Sequence, residues 1–108
     1  MEPYCAVIFS STRSVPASPQ GNGDDGYDAM ADRMEALAAE QPGYRGIESV
    51  RGTDGFGITV SYWADETFAQ AWKRNVAHLE AQRLGRERWY ESWAIRVAAV
   101  TREYRSGS

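Results

Sequence analysis

Residues 44–63 read YRGIESVR-GTDG-FGITVSYW. Two runs rich in β-branched and aromatic residues flank Gly52-Thr53-Asp54-Gly55. A short glycine-containing connection between such runs is the pattern of a β-hairpin. Successive side chains of a strand point to opposite faces. Phe56, Ile58, Val60 and Tyr62 therefore share one face of the second run, and Gly57, Thr59, Ser61 and Trp63 share the other.

Upstream of the hairpin, Tyr27, Met30, Met34, Leu37 and Ala38 recur at three and four residues, the spacing of one helical face. Asp24 or Asp25 is placed to cap that helix, Asp28 favours its first turn, and Pro42-Gly43 ends it. Downstream, a second helix starts at Asp65 or the residue before it. Phe68, Trp72, Asn75, Val76, Leu79 and Gln82 fall in one stripe at about 100° per residue. Gly85 breaks or bends this helix. Two further strands complete the pattern, at 4–10 (YCAVIFS) and 93–101 (WAIRVAAVT). In the last, Trp93, Ile95, Val97 and Ala99 alternate with Ala94, Arg96, Ala98 and Val100. Residues 11–26, with their Pro and Gly clusters, read as a flexible loop, and 105–108 as a disordered tail.

The order is β-α-β-β-α-β, an α+β domain of the ferredoxin-like type spanning 1–108. Both helices cover one face of a four-stranded antiparallel sheet. The second face carries Cys5, Val7 and Phe9, or their alternates, with apolar residues of the last strand. Such a face is too apolar to leave in water. A second copy of the same sheet is its simplest cover, which predicts an isologous homodimer.

A chain of 108 residues suits one domain with a thin core. Its 12 Lys and Arg against 15 Asp and Glu leave a net charge of −3, which argues against binding nucleic acid or an anionic membrane. No stretch approaches the roughly 20 apolar residues of a membrane span. MEPYCAVIFSS lacks the basic segment of a secretory signal, so a cytoplasmic location is expected. Cys5 is the only cysteine, which rules out an intrachain disulfide. With a single histidine beside it, no closed Cys/His zinc site can form within one chain. No Ser-His-Asp order and no GxxxxGK phosphate loop is present.

The segment SYWADETFAQAWKRNVAHLEAQRLGRERWY, with the AVIFSS start and the DGFGITVSYW strand, resembles antibiotic-biosynthesis-monooxygenase-like (ABM) domains. The shared elements are a strand ending in Tyr62-Trp63, an acidic helix start, and Trp72 nine residues after Trp63. They continue with His78 and with Gln82-Arg83-Leu84-Gly85-Arg86 closing on Trp89-Tyr90. The resemblance implies a dimeric ferredoxin-like α/β barrel with a small-molecule pocket between sheet and helices in each subunit. The superfamily includes cofactor-independent oxygenases of electron-rich aromatic molecules and enzymes that degrade haem. One haem-degrading branch uses an Asn on the first strand, a Trp on the second helix and a His further along it. Trp72 matches that Trp, but the first strand here offers Phe9, Ser10 and Ser11, and the position ten beyond Trp72 is Gln82.

His78 is the only side chain with an ordinary pKa near neutrality, so it is the candidate general base, against the plainer reading of a surface histidine. Phe9, Tyr62, Trp63 and Trp72 are candidate pocket walls, although Trp72 needs no role beyond the core and Trp63 suits a dimer seam equally. Arg83 and Tyr90 belong, with Arg86, Arg88 and Trp89, to a basic and aromatic cluster able to clamp a carboxylate or phosphate, unless Glu80, Glu87 and Glu91 neutralise it. The expected function is a monooxygenase acting on a small aromatic or polyketide-like molecule without metal or flavin. Haem binding or degradation is the alternative cofactor reading. A non-catalytic dimeric small-molecule binding protein is another. An RNA-binding module ranks last, because Asp54 and Ile58 stand where its signature wants a basic and an aromatic residue.

Overall fold

The elements follow in the order β1 (Tyr4–Arg13), α1 (Tyr27–Ala39), β2 (Tyr44–Arg51), β3 (Phe56–Trp63), α2 (Glu66–Leu84) and β4 (Tyr90–Val100). This computed structural model describes residues 2–13, 27–84 and 90–107, leaving aside the side chains at 27–31, 78–84 and 90–91. The four strands form one antiparallel sheet in the order β2-β3-β1-β4. The βαββαβ arrangement expected from the pattern is thus present.

The hairpin closes where the glycines predicted. Gly55 N–H donates to the Gly52 carbonyl at 3.1 Å, and Gly52 N–H donates to the Phe56 carbonyl at 2.8 Å. Phe56 N–H adds a bond to Asp54 Oδ1 at 3.0 Å. The first and last strands of the chain are longer than their composition suggested. β1 continues through Ser11, Thr12 and Arg13, and β4 begins three residues early at Tyr90. β1 is central, so Ser11 finds ladder partners in Gly57 and Trp93, and Thr12 in Phe56 and Ser92. Backbone pairing on two sides outweighs the turn-like character of a Ser-Ser-Thr sequence. The register shifts between Thr12 and Arg13, where the strand bulges.

Helix α1 packs Met34 and Leu37 half-buried and Ala38 fully buried, as its spacing required. Past its end, Gly43 takes φ +81° against the Phe68 ring, where a Cβ would stand 2.4 Å from ring carbons. Only glycine meets both demands. Asp65 caps α2, its Oδ1 accepting the Phe68 N–H at 3.1 Å. The buried stripe of α2 is Ala69, Trp72 and Val76, with Phe68 at its border. Asn75, expected on that stripe, is exposed; Ala69, three residues before Trp72, takes the inward position instead. The proposed caps Asp24 and Asp25, the 14–26 part of the loop, and Gly85 lie outside the described residues. No described helix is long and apolar enough to cross a membrane.

The core consists of Cys5, Val7 and Trp63 from the sheet with Ala38, Ala69, Trp72 and Val76 from the helices. This settles which way β1 faces. Cys5, Val7 and the half-buried Phe9 point toward the helices, so their alternates form the second face. That open face carries Ala6 and Ile8 from β1, Ile58 and Val60 from β3, and Ala94, Ala98 and Val100 from β4. Val50 and Phe56 on it are 71% and 46% exposed, far more than core residues of their size tolerate.

Candidate functional site

The register arranges the helix-side face of the sheet in four rows. They are Tyr44–Trp63–Cys5–Ala99, Ile47–Ser61–Val7–Val97, Ser49–Thr59–Phe9–Ile95 and Arg51–Gly57–Ser11–Trp93. The first two rows are core. Trp63 has no exposed surface; it stacks on Trp72 at 5.5 Å between centroids and meets the edge of Tyr44 at 5.8 Å. Its indole N–H donates to the buried Ser61 Oγ at 2.9 Å. Cys5 lies in the same buried layer, and burial pushes its thiol pKa up, so it is a poor nucleophile.

The last two rows change character. Ser49 Oγ and Thr59 Oγ1 share a hydrogen bond of 2.7 Å. Arg51 reaches across β3 to β1: Nη2 donates to Ser11 Oγ at 2.8 Å and Nη1 to the Gly55 carbonyl at 2.5 Å. A Cβ on Gly57 would stand 2.6 Å from the Arg51 guanidinium carbon, so the missing side chain of Gly57 is the seat of that group. Beside it, the Phe9 and Trp93 rings lie 6.2 Å apart and tilted by 34°. A face that only closed a core would be apolar throughout. Here the floor offers an aromatic pair on β1 and β4 and hydroxyl and guanidinium groups on β1, β2 and β3. That combination suits a planar ligand with oxygen substituents.

Helix α2 leaves the Trp63 end of the sheet and the chain returns at Tyr90, which pairs with Arg13 at the other end. Its later turns therefore run toward the polar rows. His78 and Arg83 are on those turns and Tyr90 opens β4; their side chains lie outside the described residues. The structure unites Trp63 and Trp72 in one stack and puts Phe9 on the same side of the sheet. Tyr62 stands on the opposite face, because strand alternation turns it away from Trp63.

On that opposite face, Tyr62 meets Tyr4 edge-on at 6.0 Å and donates its hydroxyl to Glu48 Oε1 at 2.6 Å. This bond, with some desolvation, pushes the Tyr62 pKa up to about 12. Tyr4 donates likewise to Glu103 Oε1 at 2.6 Å, and Arg45 lies 5.8 Å over its ring. With Arg105, these groups line an open cleft of about 700 Å³. It is separate from the helix-side floor.

Sequence reasoning missed Arg51, Ser11, Thr59 and Trp93 as floor residues. A signal was present: in the hairpin, polar and glycine positions 49, 51, 57 and 59 share the face of Trp63. The donor set does not fit the haem-degrading pattern. The first-strand positions are Phe9, Ser10 and Ser11, and Ser11 is buried against Arg51. Among the described residues no group of three or more His, Cys, Asp or Glu could hold a metal ion.

The model of the antibiotic biosynthesis monooxygenase family matches residues 19–84. The protein YqjZ of Bacillus subtilis (strain 168) is 50% identical over 101 residues, 94% of this chain and 82% of its own length. A jasmonate monooxygenase of Pyricularia oryzae is 30% identical over 105 residues, which are 94% of this chain. The match spans only 45% of that fungal protein. Among solved structures, SnoaB, a cofactor-independent oxygenase from Streptomyces nogalater, superposes with a TM-score of 0.61 at 15% identity, covering 97% of each chain. MhuD, a haem degrader from Mycobacterium tuberculosis, superposes with a TM-score of 0.57 at 20% identity, covering 93% of this chain and 98% of its own. These two share the fold. With its βαββαβ sheet, its stacked Trp63 and Trp72 and a family match over more than half its length, the chain belongs to the antibiotic biosynthesis monooxygenase family.

Proposed function

We propose that this chain is a monooxygenase that oxidises a small aromatic or polyketide-like molecule held between sheet and helices, without metal or flavin. The observation that carries this reading is the change of the helix-side face from apolar core to an aromatic and hydrogen-bonding floor. Phe9 and Trp93 support the ring system. Arg51 and the Ser49–Thr59 pair receive its oxygens. Trp72 and Trp63 form the rigid wall behind them, and Arg83 and Tyr90 contact the ligand from the return of the chain.

In this reaction the substrate supplies the electrons. A base removes a proton from an activated carbon, and the carbanion passes electrons to O2. One oxygen atom enters the product and the other leaves as water, so an activated methylene becomes a carbonyl. The protein binds, orients and accepts the proton. His78 is the base in this reading. A homodimer, with the open faces packed together, completes it: Val50, Phe56, Ile58 and Val60 need a cover.

The test is oxygen consumption with electron-rich phenols and anthrone-like substrates. His78→Ala should slow turnover by roughly 10²- to 10⁴-fold, the usual worth of a positioned acid or base. Unchanged turnover removes His78 from the mechanism. A shifted Soret band that saturates at one equivalent of haemin overturns the cofactor-free reading.

A further inference from the structure

Three oxidisable rings, Trp72, Trp63 and Tyr44, stand in unbroken contact from α2 to the edge of the sheet. The centroids are 5.5 Å apart from Trp72 to Trp63 and 5.8 Å apart from Trp63 to Tyr44. Both indoles are buried, whereas Tyr44, the first residue of edge strand β2, is half-buried and reached by solvent. At the inner end, Phe9 of the floor packs against the core that holds Trp72. The series thus runs from beside the proposed chamber to the surface.

A core needs bulk, and leucine or phenylalanine supplies it without a polar atom to satisfy. Indole and phenol differ from those side chains in giving up an electron to oxygen-centred radicals. Electron tunnelling falls off exponentially with the gap between donor and acceptor, so rings in contact exchange an electron far faster than rings held apart by aliphatic groups. The surroundings of Trp63 favour passing a charge on over holding it. Its indole N–H donates at 2.9 Å to Ser61 Oγ, a hydroxyl too weakly basic to take the proton of an oxidised indole. Cys5 is paired with Trp63 across the sheet, and burial pushes its thiol pKa up, so it stays a thiol and does not become the readily oxidised thiolate. At Tyr44, water can accept the phenolic proton as the electron leaves.

Resting on the oxygenase reading above, we propose that Trp72, Trp63 and Tyr44 form a one-electron relay that carries misdirected oxidising equivalents out of the chamber. A carbanion that loses one electron to O2 becomes a substrate radical, and a radical that adds a further O2 becomes a peroxyl radical. Trp72 supplies that peroxyl radical with one electron, water supplies one proton, and a hydroperoxide results. Trp63 then reduces Trp72, and Tyr44 reduces Trp63. Tyr44 releases its phenolic proton to water, and a soluble thiol returns a hydrogen atom to the tyrosyl radical at the surface.

Laser flash photolysis of the full chain tests the relay without substrate. In a Trp89→Phe/Trp93→Phe background the remaining indoles are Trp63 and Trp72. Light at the red edge of the indole band, where tyrosine does not absorb, ejects an electron from them into an added scavenger. The indolyl absorbance should decay as a tyrosyl absorbance grows in at the same rate. Tyr44→Phe keeps the ring and removes one oxygen atom, and the growth should be lost. Tyr62→Phe, beside Trp63 in sequence but on the other face of the sheet, should leave it intact. Growth that survives Tyr44→Phe, or is lost with Tyr62→Phe, overturns the relay. Peptide mapping after exposure to peroxyl radicals from an azo initiator needs no tryptophan substitution. Oxidation of Trp72 should rise in Tyr44→Phe relative to the parent chain; an unchanged level overturns the protective role. Both radicals are made without substrate, so the relay stands or falls here whatever the oxygen-consumption assay returns.

Discussion

Replacing Trp63 by Phe separates a core role from a ligand role at the residue both readings claim. The indole is fully buried, stacked on Trp72, and bonded to Ser61 Oγ. The smaller ring leaves a void on the order of 40 Å³, which at ~24 cal/mol per Å³ costs about 1 kcal/mol. Losing the indole bond leaves the Ser61 hydroxyl buried without that donor, a further ~1–2 kcal/mol. The sum, about 2–3 kcal/mol, is a large part of the ~5–15 kcal/mol that holds a domain together. For a chain of this size it lowers the melting temperature by roughly 10–20 °C. Urea unfolding followed by circular dichroism measures it. Trp63→Phe/Ser61→Ala should recover about 1 kcal/mol, since the stranded hydroxyl is gone. Ligand affinity at a temperature where the variant is folded should change little. A variant as stable as the parent that has lost ligand binding would refute the reasoning.

Two further perturbations test the frame around the site. Gly43→Ala must accept φ +81° and a Cβ 2.4 Å from the Phe68 ring, so it should cost about 2–4 kcal/mol in the same unfolding assay. Tyr62 should ionise only near pH 12 in a tyrosinate absorbance titration, and Glu48→Gln should bring it back toward 10. The folded-state pKa lies above the ordinary value, so the stabilisation is fully present below pH 10 and fades as pH rises through about 12.

The pattern of elements was legible because period-2 and period-3.6 spacing is strong in the hairpin and around Met34, Leu37 and Ala38. The cap at Asp65 and the stop at Gly43 were readable from local chemistry. Less legible was anything decided by neighbours. Ser11, Thr12 and Arg13 look like the start of a loop and become strand because β3 and β4 flank them. The facing of β1 had two answers in sequence, since Ala6 and Ile8 are as apolar as Cys5 and Val7; only packing against Trp63 and Trp72 chose between them. Phe9, expected with Cys5 and Val7 or their alternates on the second face, lies instead with Trp63 and Trp72 on the helix side. Their difference, with Trp63 sealed in the core and Phe9 half-buried, depends on where along the sheet the helices press. Arg51 escaped notice because its role needs Gly57 on one strand and Ser11 on another, 40 residues away in the chain.

The floor and the open face are linked by a shortage of apolar area. A small domain buries a modest fraction of its surface even when its whole core is packed. Here rows three and four of the helix-side face carry Ser49, Thr59, Arg51 and Ser11, residues that add little to a core. A sheet face kept polar in this way weakens the fold by the burial it forgoes, at roughly 1.5–3 kcal/mol for each large apolar side chain. The open face holds the compensation. Ile8, Ile58, Val60, Val50 and Phe56 stand there, apolar side chains that a second sheet would cover. On this logic the proposed dimer and the proposed chamber are one design: the partner's sheet supplies the stability that the ligand site gives up. Dilution that separates the copies should then lower the melting temperature, whereas a ligand filling the chamber should raise it.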